Sequence, residues 1–250
     1  MKLSIDAYTL CGPIRSINQD ALLVDASIFT NQGETCEVNL SHQPILAIAV
    51  ADGMGGHKGG EVASRMVLAQ TSQFVKTLSP GLDEQTIATM ILEWMTQLHQ
   101  TIKQHGLTHP DLSGMGSTLT ALLFHPSGIF LFHAGDTKLY RLRNEMLVQL
   151  TRDHNLAGMT HNPLAPKNIL LNAIGTGERV IPDIENLVNK ILPGDTLLIC
   201  SDGLTDGLTN NSLENIILTN PNQSAKTLVE AAINGGSSDN CSAITLTVKA

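Results

Sequence analysis

Short apolar segments separated by tight turns fill the middle of the chain and restrict the folds available to it. Between residues 118 and 150 four such segments follow one another, with Pro-Ser-Gly at 126–128 and Arg-Asn at 143–144 in two of the turns. Runs of this length are typical of β-strands, and turns this short join antiparallel neighbours. The pattern predicts an antiparallel meander with strands at 118–124, 129–133, 139–142 and 146–150.

Other segments complete a mixed α and β pattern. Further strands are predicted at 3–8, 21–24, 45–51, 184–188, 196–200 and 242–248, and residues 26–44 are expected to form a loop or irregular hairpin. Helices are predicted at 61–77, 213–218 and 225–234. Another helix, with Asp83 as its N-cap and ending near Gly106, has an apolar stripe of Ile87, Met90, Ile91, Trp94, Leu98 and Ile102. The predicted fold is α+β: a four-layer α/β/β/α sandwich of two antiparallel sheets flanked by helix pairs, in a single domain spanning 1–250.

Composition excludes several classes of function. The formal net charge is −8 with a pI near 5.5, so the basic surface needed for nucleic acid or an anionic membrane is missing. The longest strongly apolar run, 45–51, is too short to cross a bilayer. No targeting segment is visible, and the four cysteines show no CxxC spacing. We therefore expect reduced thiols in a cytoplasmic protein.

Aspartates stand at the ends of apolar strands. They are Asp52 after segment 45–51, Asp136 after 129–135, Asp202 after 197–201, and Asp239 before 242–248. Each one alone is explained by a turn, because Asp-Gly and similar pairs favour turns. Four of them at the ends of buried strands indicate an acidic cluster instead, and clustered carboxylates suit hard cations such as magnesium or manganese.

Two further features lie beside these aspartates. Arg15, Asn18 and Asp20 precede an early strand, and the arginine could either grip a phosphate or form a surface ion pair. Glycines at 53, 55, 56, 59 and 60 follow Asp52 but lack the Lys-Ser/Thr ending of a P-loop. The favoured interpretation is that they allow a backbone carbonyl to approach a cation before a helix begins.

The ordered motifs resemble those of the type 2C metal-dependent serine/threonine protein phosphatases in their bacterial form. They are Arg-Ser-Ile-Asn-Gln-Asp at 15–20, Val-Ala-Asp-Gly-Met-Gly-Gly-His at 50–57, Gly-Met-Gly-Ser-Thr at 114–118, Ala-Gly-Asp-Thr-Lys-Leu-Tyr at 134–140, Leu-Thr-Arg-Asp-His at 150–154, Ser-Asp-Gly-Leu at 201–204 and Ser-Asp-Asn at 238–240. Together they run through nearly the whole chain in the order of the family.

The resemblance implies a site with two divalent cations, manganese or magnesium, and a third, weaker one. It assigns Asp52 to both metals, the Gly53 carbonyl to one, Asp202 and Asp239 to the other, Asp136 with Asp202 to the third, Asp20 to support of the site, and Arg15 to the phosphoryl oxygens. The implied reaction is hydrolysis of phosphoserine and phosphothreonine by a metal-bridging water. The implied partners are phosphorylated proteins and an opposing serine/threonine kinase, with the enzyme acting as a monomer.

Some positions depart from the family pattern. Met54 stands where some members have a histidine assigned as general acid, and His57 lies three residues later. Lys138 replaces the usual arginine, and the flap region at 155–168 is short. Two alternatives remain: a catalytically silent module that binds phosphoproteins, and a hydrolase of small phosphate esters on the same scaffold. The metal-binding aspartates favour catalysis.

Overall fold

Two antiparallel sheets lie face to face in the computed structural model, which describes residues 1–56, 58–162, 164–221 and 223–249. The first sheet has the strand order β10 (Met146–Gln149), β9 (Lys138–Arg143), β12 (Thr196–Cys200), β13 (Cys241–Lys249), β1 (Lys2–Leu10) and β4 (Thr35–Asn39). The second has the order β11 (Asp183–Asn186), β8 (Gly128–Ala134), β7 (Leu119–His125), β5 (Leu46–Met54), β2 (Asp20–Val24) and β3 (Ser27–Phe29), and the two-residue strand β6 (Gly116–Ser117) pairs with β5.

Helices cover the outer face of each sheet. They are α1 (Gly59–Val75), α2 (Glu84–Thr108), α3 (Leu156–Thr160), α4 (Asp202–Gly207), α5 (Asn210–Thr219) and α6 (Ser224–Asn234), with a 3₁₀ turn at Pro110–Leu112. α1 and α2 pack on the second sheet, and α4, α5 and α6 pack on the first. The predicted four-layer α/β/β/α sandwich is confirmed. None of the helices in the described part of the chain has the length and apolarity needed to cross a membrane.

Apolar side chains from both sheets fill the space between them. Ile5 of β1, Val50 of β5 and Ile199 of β12 belong to this central cluster, and each is completely buried. Strands covered on both faces carry apolar residues at successive positions instead of alternating ones, because neither face meets water. This explains the unbroken apolar run at 45–51. Packing through the central cluster also holds the two sheets together so that the ends of their strands lie at a common edge.

The long helix α2 follows the predicted pattern. Asp83 caps it by accepting a hydrogen bond of 2.7 Å from the backbone N–H of Thr86. Most of the predicted stripe is buried, and the half-buried Trp94 stacks on Phe74 with ring centroids 4.6 Å apart. The helix ends at Thr108, two residues beyond the predicted end.

The predicted meander between 118 and 150 is wrong. Its first two strands, β7 and β8, pair in the second sheet, whereas β9 and β10 pair in the first. The chain changes sheets between Ala134 and Lys138, where Gly135 has a φ of 122°. The strand pattern reveals that each segment is extended, but both sheets bury such segments, so it does not reveal which sheet each one joins.

Three smaller expectations also need correction. The predicted irregular hairpin at 26–44 is split, since β3 pairs with β2 in one sheet and β4 pairs with β1 in the other. Asp52 and Gly53 lie within β5 and not after it, because Gly53 pairs with Ser117. The short helices α3 and α4 were not predicted, and Asp202 is the first residue of α4.

Candidate functional site

Asp20 lies buried where the two sheets meet. Its backbone is the register partner of Asp52 across β2 and β5. The hydroxyl groups of Ser201 and Ser242 each donate a hydrogen bond of 2.7 Å to the same Asp20 oxygen, Oδ2. These serines come from the ends of β12 and β13, so Asp20 joins the second sheet to the first. The sequence prediction named Asp20 but assigned no contact to the two serines; Ser201 directly precedes Asp202, and Ser242 lies three residues after Asp239.

Asp52 is held by backbone contacts on the strand that carries it. Its N–H donates to Thr118 Oγ1 at 2.9 Å, and its carbonyl accepts from the N–H of Thr118 at 2.8 Å and from Ser117 Oγ at 3.1 Å. The next residue, Gly53, packs against the start of α1. A Cβ at Gly53 would come within 1.9 Å of the Gly60 carbonyl oxygen, so only glycine fits there.

Asp136 and Asp202 line a cleft of about 500 Å³. Asp136 is nearly buried at the crossover between the sheets, and Asp206 and Lys138 also line the cleft. Lys138 Nζ lies 3.2 Å from Asp153 Oδ2 and donates a hydrogen bond of 2.8 Å to the Asp136 carbonyl. The lysine at this position therefore forms an ion pair with Asp153.

Burial raises the pKa values of the carboxylates in this cluster, and neighbouring negative charges add to the rise. Burial raises the pKa of Asp20 to about 6, while the two serine hydroxyls oppose the rise. Burial and the neighbouring charge of Asp136 raise the pKa of Asp202 to about 7. Desolvation raises the pKa of Asp52 well above its ordinary value, and the charges of Asp20, Asp202, Asp136 and Asp239 add to the rise. The pKa of Asp136 is raised chiefly by burial.

Arg15 and Asp239 form a bidentate ion pair at the rim of the cluster of aspartates. Arg15 Nε donates to Asp239 Oδ1 at 2.9 Å, and the second contact, to Oδ2, is 2.6 Å. The side chains keep 50% and 36% of their accessible surface, so ligands can reach both groups. The structure thus brings Arg15 to the predicted site, where its guanidinium contacts a carboxylate.

The donor set fits a hard divalent cation. Buried carboxylates that repel one another are relieved by positive charge, and carboxylate oxygens are preferred by magnesium and manganese. Across the four described ranges, however, no three His, Cys, Asp or Glu side chains converge closely enough to form a ready-made metal cluster. Two of the carboxylates already have partners within the protein: Asp20 accepts hydrogen bonds from its serines, and Asp239 is paired with Arg15.

Met54 stands where some members of the family have a histidine. Met54, at the end of β5, is half-buried, and its thioether has no proton to donate. His57 lies outside the described residues. The flap region begins with Asn155, whose side chain caps α3 by accepting from the N–H of Gly158 at 2.9 Å.

A layered sandwich with an acidic edge is the architecture of a metal-dependent phosphatase of the 2C class. The family model described as protein phosphatase 2C matches residues 18–231. The chain belongs to the protein phosphatase 2C family.

Relatives and solved structures agree with this membership. A serine/threonine phosphatase, Stp, of Listeria monocytogenes is 33% identical over 234 residues, which cover 88% of this chain and 83% of the relative. A serine/threonine phosphatase of S. agalactiae superposes with a TM-score of 0.81 at 25% identity, covering 99% of this chain and 100% of that one. The catalytic domain of the phosphatase PstP, solved in complex with two manganese ions, gives a TM-score of 0.74 at 27% identity, covering 100% and 99%.

Proposed function

We propose that this protein is a metal-dependent phosphatase that hydrolyses phosphoserine and phosphothreonine in proteins. The observation that carries the proposal is the gathering of Asp20, Asp52, Asp136 and Asp202 at one edge of the sandwich, where burial raises the pKa of each carboxyl group. Family membership and relatives that are serine/threonine phosphatases support the same reaction.

Each residue has a part in this proposal. Asp52, the Gly53 carbonyl, Asp202 and Asp239 would hold two divalent cations, manganese or magnesium, and Asp136 with Asp202 a third. When bound, the cations supply positive charge and an acidified water molecule for attack on phosphorus. Asp20 keeps β2 and β5 aligned with the other sheet through its serines.

Arg15 is suited to orient the phosphoryl group. Its guanidinium offers donors in a planar fork that matches two phosphate oxygens as well as two carboxylate oxygens. Because it already lies against Asp239 and is half exposed, it can contact a phosphate next to that carboxylate without a large movement of the backbone. Arg15 would therefore bind the charged phosphoryl oxygens of the substrate and leave the oxygen of the departing serine or threonine uncontacted.

The setting proposed for this reaction is the cytoplasm, with a serine/threonine kinase as the opposing enzyme and the protein acting as a monomer of one domain.

The four cysteines are free thiols, and two of them, Cys200 and Cys241, are buried. Burial raises the pKa of the Cys200 thiol to about 12, which keeps it protonated and unreactive. This agrees with chemistry that uses no cysteine nucleophile.

The test is a substrate panel of matched phosphoserine, phosphothreonine and phosphotyrosine peptides together with nucleotides, assayed with a chelator and after addition of manganese. We expect the first two peptides to be hydrolysed only with the metal present. Faster hydrolysis of nucleotides would favour the small-ester hydrolase. Tight binding of phosphopeptides without any turnover would favour the silent module.

A further inference from the structure

Thr118 packs tightly against one side of the crossover between β8 and β9 that carries Asp136. Gly135 adopts a φ of 122°, and a Cβ at this position would lie 2.5 Å from the Thr118 side chain. Thr118 is the residue that hydrogen-bonds both the N–H and the carbonyl of Asp52. The backbone positions of Asp52 and Asp136 are therefore linked through a single threonine.

His154 lies on the other side of the same crossover, and only 2% of its surface is exposed. Its ring Nδ1 accepts from the N–H of Gly135 at 3.2 Å, and its own backbone N–H donates to the Gly135 carbonyl at 2.8 Å. Both polar groups of Gly135 are thus satisfied by one residue. The side chain of Asn172 donates to the same Nδ1 at 2.8 Å.

The orientation of the His154 ring is itself fixed. Nδ1 accepts two hydrogen bonds, so in the neutral ring the proton lies on Nε2, which faces Asp183 Oδ2 at 3.0 Å. The following residue, Asn155, caps α3 and directs its side-chain nitrogen to Asp136 Oδ2 at 3.4 Å. The base of the flap and the Asp136 turn therefore share one hydrogen-bonded network.

We propose that His154, oriented by Asp183, is a positioning residue that holds the Asp136 carboxylate in place for cation binding. The proposal rests on the metal-dependent activity proposed above. Without the acceptor at Nδ1, the Gly135 N–H would be left unpaired in a buried turn, and the turn would shift to find another partner. Asp136 is adjacent and would move with it.

Two substitutions at one position separate this role from general stability. His154→Asn places a side-chain oxygen near the position of Nδ1 and keeps an acceptor for Gly135. His154→Gln reaches toward Asp183 but lacks that acceptor. Three measurements compare these variants with the wild type. They are hydrogen exchange of the Gly135 amide in metal-free protein, manganese binding by calorimetry, and the steady-state kinetics (kcat and KM) of hydrolysis of a phosphothreonine peptide.

We expect His154→Gln to speed exchange at Gly135 and to weaken manganese binding by about tenfold, a loss typical of residues that support metal ligands. His154→Asn should recover most of this loss. In an Asp136→Ala background, His154→Gln should weaken manganese binding no further, because the two changes act on the same carboxylate.

Equal behaviour of the two His154 variants, or a full additional loss in the Asp136→Ala background, would overturn the proposal. The amide exchange measurement does not require an active enzyme. If the wild-type protein showed no manganese-dependent turnover, the proposed function would fail, while Gly135 exchange and manganese binding would still decide the role of His154.

Discussion

Asp20 and Asp52 face each other directly across β2 and β5, so two carboxyl groups occupy neighbouring positions on the same face of one sheet. Like charges in this position destabilise a sheet, and the contact persists here with raised pKa values for both groups. A native protein retains such a repulsive pair where it has a use. Asp20 is restrained by two serines, whereas Asp52 is the more exposed of the two.

Replacing Asp52 with alanine should abolish turnover. The substitution removes the carboxylate proposed to bind both cations, and metal stabilisation of the transition state is worth several kcal/mol, or about a thousandfold in rate. Hydrolysis of para-nitrophenyl phosphate with manganese measures the effect. Asp239→Ala should cause a similar loss, and Glu93→Ala, at an exposed carboxylate within α2, serves as the control. Full activity in both site variants would refute the assignment.

Replacing Arg15 with alanine should mainly weaken substrate binding. A charge-assisted hydrogen bond contributes about 1.5–3 kcal/mol, so we expect KM for a phosphopeptide to rise by about tenfold or more. Arg15→Lys should restore only part of the affinity, because an ammonium group cannot contact two oxygens in the planar arrangement seen with Asp239. A normal KM in Arg15→Ala would remove Arg15 from the site.

Removing one member of the ion pair between Lys138 and Asp153 should strongly destabilise the folded protein. Both side chains are largely buried, and removing one member of such a pair leaves an uncompensated charge that costs about 3–5 kcal/mol. Burial alone would lower the pKa of Lys138, yet the carboxylates of Asp153 and Asp136 outweigh it and the pKa is raised. We expect Lys138→Met to lower the unfolding free energy by about 3 kcal/mol in urea denaturation.

An exposed ion pair offers the control for this measurement. Lys226 and Glu230 are half exposed and 3.7 Å apart, and Lys226 Nζ also lies 5.9 Å from the centre of the Tyr8 ring, so Lys226→Met should change the unfolding free energy by no more than about 1 kcal/mol. Lys138→Arg keeps the charge and should retain more of the stability than Lys138→Met. Similar small effects at both lysines would contradict a structural role for the buried pair.

The sequence predicted the members of the site better than their contacts. Aspartates at strand ends and the ordered motifs indicated Asp52, Asp136 and Asp202, and the structure places these three residues near one another at one edge, where the ends of packed strands lie together. The pairing of Arg15 with Asp239 joins residues 224 positions apart, and no local pattern encodes such a contact. The crossover at Gly135 was missed for the same reason: extended segments look alike whichever sheet they enter.

His133 should make folding stability fall in mild acid. It is completely buried, its ring contacts Thr120 and the Arg152 carbonyl, and burial, with the nearby His154, lowers its pKa from 6.5 to about 4. The hydrogen bond with the Arg152 carbonyl and the carboxylates of Asp183 and Asp153 oppose this shift without reversing it. Between pH 6.5 and 4 the unfolded chain binds a proton that the folded chain does not, so the unfolding free energy decreases as pH falls through this window.

The contribution of this one histidine amounts to about 3 kcal/mol across the window, since each pKa unit corresponds to about 1.4 kcal/mol. His133→Gln keeps a donor for the Arg152 carbonyl and removes the titrating group. The raised pKa values of Asp20 and Asp202 act in the opposite direction, but they are present in both proteins and cancel in the comparison. Urea denaturation from pH 7 to pH 4 should therefore give a smaller acid-induced loss of stability in His133→Gln than in the wild type. Parallel pH profiles for the two proteins would show that His133 is not the source of the loss.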